Sequence, residues 1–325
     1  MRYIESRVTD PAFNLALEQY AFDVLSRDDD IFMLWQNHDS VIVGLHQNTM
    51  EEINRGFVDE NNIPVIRRLS GGGAVFHDLG NLNFTFITRV DDTDDIDFDR
   101  SCRPIADALL SMGARVEVSG RNDMTIDGRK FSGNARYYRD GRLMHHGTLL
   151  FDTDFSKMAE VLSVADDKLV SKGVKSIRSR VTNLSEYLDM TVTEFWSSLR
   201  ESIAGDMPVY ALSEQDHAAI NAIRNERYGT WDWNYGKSAE FNIVKRRRLD
   251  GFGAIRISYS ARNGKITDFA TDGDYFGSRP CTDVSAALHG VKLERDALTD
   301  ALGELEFGQY YEKLTKDEFV RLIIE

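Results

Sequence analysis

Cysteine is almost absent: Cys102 and Cys281 are the two in 325 residues. They stand far apart with no CxxC partner and no histidine cluster, which argues against a disulfide framework and structural zinc and leaves both as small buried hydrophobes. Long apolar runs are missing too. No stretch approaches the roughly 18 to 20 residues needed to cross a bilayer, and the start, Met1-Arg2-Tyr3-Ile4-Glu5-Ser6-Arg7, lacks the apolar core of a signal peptide. The expectation is a cytoplasmic protein without membrane contact. Positive charge is scarce, with 39 Lys and Arg against 53 Asp and Glu and a formal net charge of -14. That field repels a phosphate backbone, so nucleic acid is not an expected partner. The informative positions are the places where cations gather against the acidic average: Arg67-Arg68, the stretch around Arg129-Lys130, and the run from Lys168 to Arg180.

Apolar residues make up 42% of the chain, enough for one large core and a second, smaller domain. Asp10-Pro11 reads as an N-cap followed by proline at the first helical position, with Phe13, Leu17, Tyr20 and Val24 at helical spacing behind it. Ile31 to Trp35 and Val41 to Val43 are short apolar runs split by the turn-like Asn37-His38-Asp39-Ser40, and predict two strands of one sheet. Asn83 to Thr88 alternates as a strand, and Asp-Gly pairs at 127–128 and 140–141 predict consecutive antiparallel hairpins. Helical patterns follow over 155–162, 193–203 and 213–227. Past Trp231 to Lys237 the pattern restarts with strands near 254–260 and 266–271 joined at Asn263-Gly264, then helices near 284–288 and 297–302. The order is α+β, with a boundary near residue 245 separating a domain over 1–244 from one over 245–325. Asp91 to Asp99 reads as a solvated loop, and Lys245-Arg246-Arg247-Arg248 as a solvated linker.

One segment carries most of the chemical information: Arg67-Arg68-Leu69-Ser70-Gly71-Gly72-Gly73-Ala74-Val75-Phe76-His77-Asp78-Leu79-Gly80-Asn81. Three successive glycines strip Cβ atoms from about 10 Å of chain, so backbone N–H groups can approach an anion closely. The adjoining arginines add forks suited to phosphate or carboxylate. The segment is neither a Walker A loop nor a GxGxxG fingerprint, and read alone it fits a flexible turn between strands as well as a nucleotide cradle.

With its flanks, however, it resembles the signature of the lipoate-protein ligase family. The resemblance continues through Gly120-Arg121-Asn122-Asp123-Met124 and Gly128-Arg129-Lys130-Phe131-Ser132-Gly133, then His145-His146-Gly147-Thr148-Leu149-Leu150, then 172–184, and finally Thr230 to Gly236. It implies a catalytic domain like those of class II aminoacyl-tRNA synthetases and biotin ligases, plus a small α+β accessory domain. It also implies an activity: ATP-dependent adenylation of lipoate, then transfer of the lipoyl group to one lysine of lipoyl-domain acceptors, the E2 subunits of 2-oxoacid dehydrogenases and the H protein of glycine cleavage.

Adenylation brings a carboxylate against the α-phosphorus of ATP, so positive charge must stand where negative charge grows. The resemblance assigns that place to Lys130. It carries over Arg68 and the backbone of Gly73, Ala74, Val75 and Phe76 as ATP contacts, with Arg67 and Gly72 as support. Trp35, His77, Asn81, Gly133 and His146 are candidates for the lipoate side, although Trp35 as plain core and His77 as a hydrogen-bonded structural histidine fit equally well. Asn122 and Asp123 either orient Lys130 or help hold magnesium with the phosphates. His145-His146 has no third convergent ligand and is not read as zinc. The run from Lys168 to Arg180 fits a loop folding over the adenylate, a contact for acidic acceptors, or a solvated face. The nearest alternative is an octanoyl or lipoyl transferase that carries the acyl group on cysteine without ATP; Cys102, in an expected helix outside every matched block, disfavours it.

Overall fold

The computed structural model describes residues 1–90, 98–119, 123–162, 180–237, 241–250, 252–273, 275, 279 and 281–325. Asn122 and 168–179 of the basic run lie outside the described residues, as do 91–97 of the expected acidic loop; Phe98 and Asp99 begin a helix.

The chain divides into two compact units, Met1–Leu45 with Ile63–Thr230, and His46–Asn62 with Trp231–Glu325. The first is built on a seven-stranded sheet in the order β1-β2-β6-β10-β9-β8-β7. Its strands are β1 (Arg2–Glu5), β2 (Ile31–Trp35), β6 (Asn81–Arg89), β7 (Glu117–Ser119), β8 (Asp123–Ile126), β9 (Arg129–Arg139) and β10 (Arg142–Leu150). Only β1 and β2 pair in parallel. Asp127-Gly128 and Asp140-Gly141 form the expected hairpin turns, all four residues having positive φ.

Alternation along β6 sorts its side chains. Phe84 and Phe86 join Phe32 and Leu34 in a core closed by Cys102, Ile105 and Leu109 of α4 (Phe98–Ser111) and by Phe195 and Leu199 of the helix Val192–Ala204. Asn83 and Thr85 point the other way, and Thr85 Oγ1 donates to Glu18 of α1 (Pro11–Asp23), 2.7 Å away. Helix α1 starts as the sequence predicts, with Asp10 Oδ1 accepting from Ala12 N at 2.9 Å and Pro11 at the first helical position.

One expectation fails in this unit. The strand at 41–43 does not share a sheet with β2: β3 (Ser40–Val43) pairs in parallel with β4 (Val65–Arg67) and antiparallel with β5 (Val75–His77) in a separate three-stranded sheet. The connecting turn is pinned away from the large sheet. Asn14 Nδ2 donates to Gln36 O and Asn37 Oδ1, both at 2.9 Å, and His38 N donates to Thr9 O.

The second unit is a meander of β11 (Phe241–Leu249), β12 (Gly253–Arg262) and β13 (Lys265–Gly273). The helices Thr282–Leu288, Arg295–Ala301 and Lys316–Ile324 complete its core. Two features differ from the sequence expectation. The basic run 245–248 is not a linker but the middle of β11, and Lys245 Nζ donates to Ile323 O at 2.8 Å, where burial lowers its pKa to about 8. The unit also takes in His46–Asn62 and begins near Trp231 rather than near 245. Thr49 Oγ1 donates to Asn234 O at 2.6 Å, and the Arg55 guanidinium lies 4.8 Å from the centre of the Tyr235 ring. No sequence pattern signals that an insertion so far upstream packs there.

Helix Val192–Ala204 opens with a reciprocal cap, Glu194 N donating to Thr191 Oγ1 and Thr191 N to the Glu194 carboxylate. Thr191→Ala is expected to lower the unfolding free energy by about 1 kcal/mol, read as a shift of the urea midpoint; an unchanged midpoint contradicts the cap.

Candidate active site

Lys130 reaches its position through a β-bulge. In the β8–β9 ladder Asp123 pairs with Gly133 and Met124 with Ser132, but Thr125 then pairs with Lys130, so Phe131 is the extra residue. The slip turns Lys130 onto the same face as Gly133, which simple alternation forbids. Its side chain then runs over Gly133, where a Cβ would stand 3.0 Å from Nζ, and ends 2.7 Å from Asp123 Oδ1. The strand is also clamped on its outer edge, Lys130 N donating to Arg180 O and Thr182 N to Lys130 O.

Nζ lies at the border of a cavity of about 130 Å³ that includes Gly72, Gly73, Ala74 and Val75 on one wall and Trp35, His77, Gly133 and His146 on others. The structure therefore brings most of the expected site residues together. Phe76 and Asn81 are buried behind that wall, and Arg67 is fully buried with Nη1 donating to Gly44 O and Leu45 O. Asn83, Asn134, Thr148, Leu15 and Ile42 border the cavity without having been singled out in the sequence.

Arg68 borders the cavity, yet most of its donors are engaged with the loop itself. Nη2 donates to Gly71 O at 2.7 Å and to Gly73 O at 2.8 Å, Nη1 to Ile42 O, and Nε to Ser70 Oγ. Gly72 sits at φ +95, and its carbonyl oxygen would be 2.0 Å from a Cβ at Gly44, the residue after β3. The glycines thus serve close approach as well as ligand access: only bare backbone lets the loop lie against the end of β3 while its carbonyls converge on one guanidinium. Burial lowers both Arg67 and Arg68 to about 10, which leaves them cationic at neutral pH.

Opposite them the wall is polar but uncharged. Burial, then the Arg68 charge, pushes His77 down to about 3. Its tautomer follows from its neighbours. Asn14 Nδ2 faces the backbone carbonyls of Val8 and Gln36 and also Asn37 Oδ1, so Asn37 Nδ2 is the atom facing His77 Nδ1, 3.1 Å away. Nδ1 accepts, and the ring proton is on Nε2. His77 Nε2 and Asn83 Nδ2 are both buried with no hydrogen-bond partner among the described residues, so they stand ready as neutral donors. Trp35 is anchored through Nε1 to Thr85 Oγ1 at 3.0 Å and packs edge-on to His77, ring centres 6.0 Å apart.

The remaining candidates resolve simply. Among the described residues no three His, Cys, Asp or Glu side chains converge as a metal site. Cys102 is fully buried in α4, on the far face of the sheet, with Sγ 3.9 Å from His145 Nε2, and it does not border the cavity. Sequence reading passed over Glu18 and Ser70, which hold His146 between them. The available signal was an acid inside the largely apolar Pro-Ala-Phe-Asn-Leu-Ala-Leu-Glu stretch of α1.

Two measurements bear on this geometry. Gly44→Ala puts a methyl into the Gly72 carbonyl and is expected to cost on the order of 1–3 kcal/mol of stability and to weaken nucleotide binding; parental thermal midpoint and ATP affinity would mean the loop does not lie against β3. His77 and His145 are both held to about 3, first by burial, against about 6.5 when exposed. As pH falls through about 6.5 the unfolded chain takes up protons that the folded rings refuse, so the stability present above that pH is lost progressively toward pH 3. The thermal midpoint should fall on acidification, with a shallower slope for His145→Gln; equal slopes count against the buried neutral ring.

Two family models match the chain, the lipoyl protein ligase A/B catalytic domain over residues 10–204 and the bacterial lipoate protein ligase C-terminus over residues 238–323. A lipoate-protein ligase of Bacillus subtilis is 43% identical over 331 residues, covering 99% of this chain and 100% of that protein. Lipoate–protein ligase 1 of Staphylococcus aureus is 37% identical over 328 residues, with 99% and 100% covered. Among solved structures, a lipoate protein ligase of Thermoplasma acidophilum, described with its E2 lipoyl domain, aligns with a TM-score of 0.67 at 28% identity over 73% of this chain and 96% of its own. A lipoate-protein ligase A bound with ATP aligns at 0.64 and 25% identity over 73% and 98%. With both models matched and these relatives aligned over nearly the whole chain, the chain belongs to the lipoate-protein ligase family.

Proposed function

We propose that this protein activates lipoate with ATP and joins the lipoyl group to a lysine of a lipoyl-domain acceptor. A lipoate carboxylate oxygen attacks the α-phosphorus, the bond to pyrophosphate breaks, and lipoyl-AMP remains. The acceptor amine then attacks the acyl carbon, a C–N bond forms, the proton is lost and AMP leaves. No enzyme nucleophile is required, which agrees with Cys102 standing behind the sheet rather than on the cavity wall.

The observation that carries the reading is that Lys130 lines the same cavity as Gly72 to Val75. An ammonium there screens the carboxylate from the phosphate as they close and stabilises the charge that develops between them. His77 and Asn83 offer uncharged donors to ligand oxygens, and Trp35, Leu15 and Ile42 give the alkyl chain an apolar surface. Arg68 and Arg67 contribute by shaping the phosphate-facing loop and by their long-range charge. Magnesium would neutralise phosphate charge, and Asp123, which pairs with Lys130, would be the carboxylate to hold it. The unit of Met1–Leu45 with Ile63–Thr230 carries the chemistry, and the unit of His46–Asn62 with Trp231–Glu325 the accessory role. Acceptors are E2 subunits of 2-oxoacid dehydrogenases and the H protein of glycine cleavage, and Cys102 and Cys281, not joined in a disulfide, suit a reducing cytoplasm.

Incubating the enzyme with ATP, lipoate and a purified lipoyl domain should add the mass of one lipoyl group to the domain. Lys130→Ala should slow lipoyl-AMP formation by on the order of 100-fold or more. Transfer that proceeds without ATP, or a fully active Lys130→Ala variant, overturns the assignment.

A further inference from the structure

Behind the cavity wall runs a chain of buried hydrogen bonds that the adenylation chemistry does not itself call for. Trp35 Nε1 donates to Thr85 Oγ1 at 3.0 Å, and Thr85 donates to Glu18 Oε1 at 2.7 Å. Glu18 Oε1 is 2.8 Å from His146 Nδ1, and His146 Nε2 is 2.6 Å from Ser70 Oγ. Arg68 Nε donates to that same Ser70 oxygen at 3.0 Å, while Arg68 Nη2 holds Gly71 O and Gly73 O. Glu18 is 2% exposed, Ser70 1% and His146 6%.

The directions of these bonds close consistently. Glu18 Oε1 accepts from Thr85 and from His146 Nδ1–H; His146 Nε2 then accepts the Ser70 hydroxyl, leaving the Ser70 oxygen to accept from Arg68. The carboxylate, imidazole and hydroxyl follow in the order of a nucleophilic triad. Ser70 is nevertheless not on the cavity wall, and its oxygen is spent on a guanidinium, so no acyl group can reach it. What the relay fixes is Arg68, and through Arg68 the carbonyls of the glycine loop. Glu18 is also the group whose charge favours the buried guanidinium.

We propose that Glu18 and Ser70 are positioning residues for ATP: with His146 between them they set the rotamer of Arg68 and thereby the shape of the Gly71 to Gly73 loop that receives the nucleotide. This rests on the loop being the nucleotide cradle of the proposed ligase. Neither Glu18 nor Ser70 borders the cavity, so neither touches ATP or the acyl substrate, and an effect on ATP alone has to travel through the relay.

The test reads ATP affinity directly, by calorimetric titration of the full-length protein without acyl substrate, next to KM values for ATP and lipoate. Ser70→Ala and the near-isosteric Glu18→Gln should each weaken ATP binding about tenfold, the usual size for loss of a hydrogen bond to a charged group. KM for lipoate should move less than about twofold, Ser70→Thr should recover most of the loss, and the double variant should be no weaker than the worse single one, because both cut the same relay. Thermal unfolding identifies a variant that fails to fold, in which case Glu18→Gln decides the matter alone. The proposal is overturned by parental ATP affinity in a folded variant, by equal losses for ATP and lipoate, or by additive losses in the double variant. Failure of the ligase reading shows up separately, as no lipoyl transfer by the parental enzyme, whatever the variants do to ATP binding.

Discussion

The grip of the buried Arg68 guanidinium on the carbonyls of Gly71 and Gly73 is the contact on which the site depends. A guanidinium withdrawn from water is costly unless its donors are engaged. Here Gly71, Gly73, Ile42 and Ser70 supply the acceptors, three of them backbone oxygens of the loop or of β3. Because those carbonyls turn inward to the cation, the loop's N–H groups are left for a ligand. The same charge that lies beneath the loop therefore sets its polarity, and β3 and β4 are held together as a platform for it.

The facing side obeys a different constraint. Lys130 has to be mobile enough to follow a reaction and rigid enough to be present at its start, and the bulge at Phe131 gives it both. Phe131 is buried in the core as a fixed point, while the Lys130 side chain, 35% exposed, ends against Asp123. An ion pair that exposed contributes little to folding, so exchanging Asp123 for a substrate anion costs little. The empty space over Gly133 is the track along which the side chain lies.

Much of this was legible in the residues. Asp10-Pro11 announced α1, the Asp-Gly pairs announced the hairpins, and the family resemblance of the glycine block directed attention to Lys130 before any geometry. The failures have physical reasons. Alternation over 83–88 marks a strand but not what covers its polar side, where Thr85 is held by Glu18 of α1 and Asn83 lines the cavity, because no local pattern reports what covers a sheet. Arg68 next to three glycines suggests a phosphate fork, and its engagement with the loop carbonyls depends on where β3 passes. The cluster 245–248 looks like a solvated linker because its four consecutive charges fall on both faces of β11 and so carry no period-two signature. The pairing of His46–Asn62 with Trp231–Glu325 is a long-range contact and leaves no trace in either segment.

Charge is also distributed along the cavity so that an amphipathic acid has one favourable orientation. Cations lie toward Lys130 and beneath the glycine loop, while His77 is kept neutral by burial and Trp35, Leu15 and Ile42 are apolar. A carboxylate left among neutral donors and apolar rings, without a cation beside it, loses most of the attraction that offsets its dehydration. A ligand entering tail-first leaves its carboxylate beside Lys130 and the loop, where a phosphate also finds its partners. A protonated His77 would cancel that difference by putting a second cation among the neutral groups, which gives a physical reason for the chain from Asn14 through Asn37 that fixes Nδ1 as an acceptor. Orientation of the acid is decided by where charge has been withheld as much as by where it has been supplied.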